Sequence, residues 1–260
     1  MLMLSLDTTS RAGSCALVRD VRVLREQASD ASRDQAERLP GELAALLDRE
    51  SVALEEIDCF AVATGPGSFT GLRVGIATMQ GLAMATGRPL IGVSACDALA
   101  MIGGSGGVLE PDPPYVRGAG AAQRTRRERI ATWIDAWRGE VFAALYEDGR
   151  ERDALTVARP KDLLARQMGL VTVFTGDGAA QHRELIRATL GDAARFTAPV
   201  APLLAGVIAA LAGEAFRAGQ RPPPHAIRPI YVRRSAAEPA RGAGRGVHVW
   251  ADPKGPFSTS

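Results

Sequence analysis

The sequence predicts an α/β fold built twice, as two lobes, and three observations carry that expectation. With 260 residues, 46% hydrophobic and 23% charged, the chain can bury a large core in one domain or in two lobes of about a hundred residues each. Its first hundred residues mix short apolar strands with helices of period 3.6. From Arg129 onward the same order of elements recurs.

In the first lobe a strand LMLSLD closes at Asp7, a turn passes through Gly13, and the strands SCALVR and VRVLREQA follow. Asp34 to Arg49 is a helix, because Ala36, Leu39, Leu43, Leu46 and Leu47 fall on one face. The strand CFAVAT, a GPGSF loop, a helix from about Thr70 to Thr86, the strand PLIGVS and a short helix complete the set. The order βββαβαβ is that of a ribonuclease-H-like unit. The second set runs ERIATWID, EVFAALY, ERDALTVA, a helix over 160–168, LVTVFT and a helix over 180–190. Two echoes support duplication: Asp135-Ala136-Trp137-Arg138-Gly139 repeats the Asp7 to Gly13 turn, and Thr175-Gly176-Asp177-Gly178 repeats Thr64-Gly65-Pro66-Gly67. A duplicated unit of this kind is the architecture of the actin-like ATPase superfamily. The expected division is a first lobe at 1–102, a flexible insertion at 103–128, a second lobe at 129–220, and an extension at 221–260, flexible after about 235. The insertion and the tail are rich in Gly, Pro and Arg and lack apolar periodicity.

Composition excludes several classes. Lys+Arg 31 against Asp+Glu 29 leaves a net charge of +2, too small to mark a dedicated nucleic-acid or membrane-surface protein. Cys15, Cys59 and Cys96 are odd in number, far apart and set among small apolar residues, so they read as reduced core side chains. No cleavable leader is visible, and Val200 to Gly213, interrupted by Pro202, is too short to span a bilayer, so the expected location is the cytoplasm. His182, His225 and His248 are too far apart to share a helical turn as a metal pair, and no G-x-S-x-G elbow is present, so no catalytic or metal-binding residue is assigned.

The chemistry-bearing candidates are Asp7, Thr8 and Thr9 with Gly65, Gly67 and Ser68. A glycine turn opening a helix exposes backbone N–H groups beside the positive end of the helix dipole, which suits a phosphate. The same residues also read as a tight turn with a Ser68 or Thr70 cap and no ligand. The glycine spacing is neither a P-loop nor a dinucleotide fingerprint, both readings stay open, and the segment is a candidate vestigial phosphate loop. Asp7 and Asp135 could face a cleft and hold Mg²⁺ through water, or cap their turns. The helix that follows carries Gly71, Gly75, Ala77, Gly81 and Ala85, small residues that permit close packing on its own sheet or on another chain.

At 63–83, ATGPGSFTGLRVGIATMQGLA, the sequence closely resembles the signature of the TsaB (YeaZ) family. LDTTSRAGSCALV, GRPLIGVSACDALA, IDAWRGEVFAALY, TGDGA and RPIYVRRSAAEPAR extend the likeness over most of the chain. The resemblance implies a catalytically silent relative of TsaD that acts in forming N6-threonylcarbamoyladenosine at position 37 of tRNAs reading ANN codons. It implies pairing with TsaD as a heterodimer, joined by TsaE, with tRNA met through the complex and no membrane contact. ATP and a metal ion would belong to the partner subunits, with no cofactor required by this chain. Pairing of the chain with itself when alone is left open. Carried over by position, Leu39, Leu43, Leu72, Gly75, Ile76, Met79 and Ala83 become partner-interface candidates. Two departures stand out: Gln35 lies where many relatives have a histidine, and the insertion is longer than usual. The alternative is an ATP-dependent phosphotransferase of the actin-like superfamily, which would need a glycine pair before the last helix, where only Gly206 and Gly213 occur.

Overall fold

A computed structural model describes residues 1–104, 129–166 and 170–232. Strands β1 (Leu2–Asp7), β2 (Ser14–Arg19) and β3 (Arg22–Ala28) form an antiparallel meander, followed by helix α1 (Gln35–Arg49), β4 (Cys59–Gly65), α2 (Phe69–Thr86), β5 (Leu90–Ser94) and α3 (Ala95–Gly104). The order across the sheet is β3-β2-β1-β4-β5, with β4 and β5 parallel to β1. The second set is β6 (Arg129–Asp135), β7 (Val141–Glu147), β8 (Arg150–Ala158), α4 (Pro160–Leu164), β9 (Thr172–Thr175), α5 (Asp177–Gln181), α6 (Arg183–Leu190), β10 (Ala194–Phe196) and α7 (Ala205–Arg217). Its sheet order, β10-β9-β6-β7-β8, is the first order read from the other end, with the same pattern of parallel and antiparallel neighbours. The duplication expected from the element order is therefore present in the topology.

Local chemistry accounts for most boundaries. Ser68 caps α2 by accepting a hydrogen bond from the Gly71 N–H at 3.1 Å, and Gly87 closes it in the left-handed conformation. The expected helix over 180–190 begins earlier and breaks at His182, whose N–H closes the first turn on the Gly178 carbonyl. Helix α4 ends at Leu164, short of the expected 168, and 167–169 lie outside the described residues. Strand β10, three residues long, carries too little pattern to be read from sequence.

Three cores result. Leu39, Leu43 and Leu46 of α1 and Ile76 and Met79 of α2 pack with Leu4, Leu6 and Phe60 on one face of the first sheet. Trp133, Phe174 and Phe196 anchor the outer core of the second, with edge-on packing of Trp133 on Phe174. Between the sheets, Cys96 and Leu99 of α3 and Ile208 and Ala212 of α7 join Met3, Ala61, Ile134 and Phe142. Each fully buried Leu or Ile contributes about 1.5–3 kcal/mol.

Packing crosses the expected division at residues 102 and 220. Helix α7, expected with the second lobe, lies on β1, β2, β4 and β5, and α3 leans on β6 and β9. The reason is physical: both helices are rich in Ala and Gly and apolar on two sides, so each fits between sheets rather than on an outer face. Residues 220–232 return to the first lobe as a strap, where Gln80 Nε2 donates to the Pro224 and Ile227 carbonyls and the Ile230 N–H donates to the Thr64 carbonyl. All but the first two residues of the expected insertion, and the tail after residue 232, lie outside the described residues.

Candidate functional site

The residues of the expected vestigial phosphate loop come together, but around one another. The Thr9 N–H and Oγ1–H both donate to Asp7 Oδ1, at 2.9 and 2.7 Å, and the Ser68 N–H donates to the Thr9 carbonyl at 2.7 Å. A Cβ on Gly67 would lie 2.5 Å from the Thr9 oxygen, and one on Gly75 would lie 2.2 Å from Thr8 Oγ1. The glycines therefore let α2 close directly onto the Asp7 to Gly13 turn. Arg38, buried beneath α1, braces that turn from the other side by donating to the Arg11 and Ala12 carbonyls. The donors a phosphate would use at Thr9, Ser68 and Gly71 are engaged within the chain.

The second lobe repeats the device. Asp177 Oδ1 accepts from the N–H groups of Asp135 and Gly178, and Gly176 and Gly178 sit against the backbone of Trp133 and Ile134. Asp135 Oδ1 accepts from the Trp137 N–H, capping its turn. The N-terminus of α7 is closed as well: the Gly206 N–H donates to Glu26 Oε1 at 2.7 Å, and Ser14 Oγ accepts from the Leu204 and Ala205 N–H groups. Among the described residues no group of three His, Cys, Asp or Glu side chains is placed to hold a metal ion.

Asp7 is buried, and desolvation pushes its carboxyl up to about 6, opposed by the two Thr9 hydrogen bonds and reinforced by the charges of Asp177 and Glu26. A carboxyl raised in the folded state contributes stability that is full below its unfolded value and is lost as pH rises through about 6. Asp7→Asn keeps an acceptor for Thr9 and removes the buried charge. It is expected to raise stability at pH 8 by about 1–3 kcal/mol and to match the parent below pH 4, as read by urea denaturation across that range. A gain independent of pH would contradict this assignment.

The seven interface candidates turn inward. Leu39, Leu43, Leu72, Gly75, Ile76, Met79 and Ala83 are all buried against the chain's own sheet and turn, so they are not a surface another protein can reach. The correction has a simple cause: the apolar stripe of a helix is the stripe its own core takes first. What the two helices expose is the opposite face, with Ala36, Pro40, Gly41 and Ala44 on α1 and Ala77, Gly81 and Met84 on α2. Helix α2 holds one charged residue, Arg73, in 18, and Met84 is 67% exposed. The three cysteines are buried and free, and burial pushes Cys15 up to about 11 and Cys59 and Cys96 up to about 12. His182 is half-buried. No helix among the described residues is long and apolar enough to cross a membrane.

Two sheets of one order, joined by exchanged helices, define a duplicated ribonuclease-H-like α/β protein. The family described as TsaD, tRNA N6-adenosine threonylcarbamoyltransferase, matches residues 26–241. The tRNA threonylcarbamoyladenosine biosynthesis protein TsaB of Escherichia coli (strain K12) is 32% identical over 187 residues, 68% of this chain and 72% of that protein. An uncharacterized protein of Mycobacterium leprae (strain TN) is 30% identical over 248 residues, 92% of this chain, which spans only 56% of that relative. The crystal structure of an uncharacterized protein with similarity to peptidase YEAZ from Pseudomonas aeruginosa matches with a TM-score of 0.66 at 29% identity, covering 89% of this chain and 99% of that one. The chain belongs to the family that the first match describes and, within it, to the TsaB (YeaZ) proteins.

Proposed function

We propose that this chain is a non-catalytic partner of a TsaD protein and acts in forming threonylcarbamoyladenosine on tRNA. The observation that carries the reading is the outer face of α1 and α2: Ala36, Gly41, Ala44, Ala77 and Gly81 form an exposed stripe of small side chains beside Met84, bordered by Glu37 and Asp48 of α1 and Arg73 of α2. A helix pair that leaves such a surface to water is suited to packing against helices of another protein, since small side chains let backbones approach. TsaD docks there, TsaE joins the assembly, and tRNA is met through the complex.

The engaged donors of the Asp7–Ser68 junction and of the α7 N-terminus support a chain that binds no nucleotide there and leaves ATP and metal to its partners. They also weigh against the phosphotransferase reading, which needs those amides free. The reading is tested by gel filtration of the chain mixed with the TsaD protein of the same source. A 1:1 complex is expected, and separate elution at micromolar concentrations would overturn it.

A further inference from the structure

One surface feature serves neither the core nor the loop junction. Phe69, the first residue of α2, is 53% exposed, and the Arg73 guanidinium lies 3.9 Å above its ring centroid. Tyr231, from the strap, closes the group: its hydroxyl accepts from Arg73 Nε at 2.8 Å and its ring stands 5.3 Å from that of Phe69. The guanidinium is thus fixed by an aromatic face and by one hydrogen bond, which removes most of the rotamer freedom an exposed arginine would lose on binding. Among the described residues neither terminal nitrogen of Arg73 makes a hydrogen bond or ion pair. A planar fork held in this way matches the two oxygens of a carboxylate.

We infer that the Phe69–Arg73–Tyr231 stack is the anchor of the partner contact and receives an Asp or Glu carboxylate of the partner protein on the outward edge of Arg73. The inference rests on the docking face proposed above, because Phe69 and Arg73 continue the stripe through Ala77 and Gly81 at helical spacing. Charge decides between a protein and a nucleic acid. Arg73 is the only cation on α2, and the neighbouring exposed face of α1 sets Glu37 and Asp48 against Arg49, so among the described residues these two helices present no basic track for a phosphate backbone. One preorganised cation beside aromatic rings, on a helix with no other charged residue, is the composition of a protein–protein hot spot.

The test measures affinity for TsaD by calorimetry, with thermal unfolding of the isolated chain as the control for folding. Arg73→Gln is expected to weaken pairing by about 30-fold or more, and Arg73→Lys, which keeps the charge and loses the fork, by about 10-fold. Tyr231→Phe removes the same strap hydrogen bond as Arg73→Gln but leaves the cation, and is expected to cost about 5-fold or less. Equal effects of Tyr231→Phe and Arg73→Gln would mean that the stack only ties down the strap, and the inference would fall. Full affinity in Arg73→Gln alongside lost pairing in Gly81→Arg would overturn the anchor and leave the docking face standing, whereas full affinity in both would remove the face as well. If Arg73→Gln pairs normally but the complex retains less tRNA, the stack serves the nucleic acid and the inference is wrong.

Discussion

Gly75→Leu is expected to destabilise the folded chain by about 3 kcal/mol, measured by urea denaturation of the isolated protein. Even a methyl group at this position would meet Thr8 Oγ1 at 2.2 Å, Thr8 Cγ2 at 2.8 Å and Thr8 Cβ at 3.1 Å. The neighbour cannot yield cheaply, because Thr8 is fully buried in the turn between the Asp7 carboxylate and the Thr9 to Ser68 hydrogen bond. Among the described residues Thr8 Oγ1 has no hydrogen-bond partner, so removing it forfeits none. Gly75→Ala should therefore cost about 2 kcal/mol alone and recover much of that in combination with Thr8→Ala, a coupling typical of residues in contact. A Gly75→Leu protein as stable as the parent would show that α2 does not close on the turn.

Gly81→Arg, two turns further along the same helix, is expected to behave oppositely. No described residue outside the neighbouring helix backbone lies within 4 Å of a Cβ at this position, and replacing an exposed helical glycine gains about 0.5–1 kcal/mol of helix propensity. The isolated chain should be as stable as the parent or slightly more so. Pairing with TsaD should weaken by about 100-fold or more, some 3 kcal/mol, because a long charged side chain then stands on a face that must pack closely. The contrast separates the two uses of small residues in α2, one turned to the chain's own turn and one to the proposed partner. Unchanged affinity in Gly81→Arg would remove this face from the interface.

Much of this architecture is legible in the residues, and the parts that are not share a cause. Strand order follows from alternation and turn chemistry, so the meander closing at Asp7 and its repeat closing at Asp135 are readable in advance. Glycines at 67, 71 and 75 announce a close approach, yet spacing is the same whether the neighbour is Thr8 or another chain. The side of a helix that remains free is likewise hidden, which is why Leu39 and Met79 were legible as a contact stripe but not as an internal one. Contacts between residues distant in sequence leave no local pattern: Glu26 on the α7 N-terminus and Tyr231 on Arg73 are separated by 180 and 158 positions. The buried brace at Arg38 belongs with them, since it reaches the Arg11 and Ala12 carbonyls across 27 and 26 positions.

The central claim is that this chain contributes a partner surface rather than chemistry. It is tested most directly by threonylcarbamoyladenosine formation on an ANN-decoding tRNA, in a mixture of TsaD, TsaE and the adenylate-forming enzyme, with and without this protein. Product that depends on the parent chain, is lost with Gly81→Arg and persists with Asp7→Asn is the predicted result. Product that forms equally well without the chain, or that requires the Asp7 carboxylate, would contradict the account.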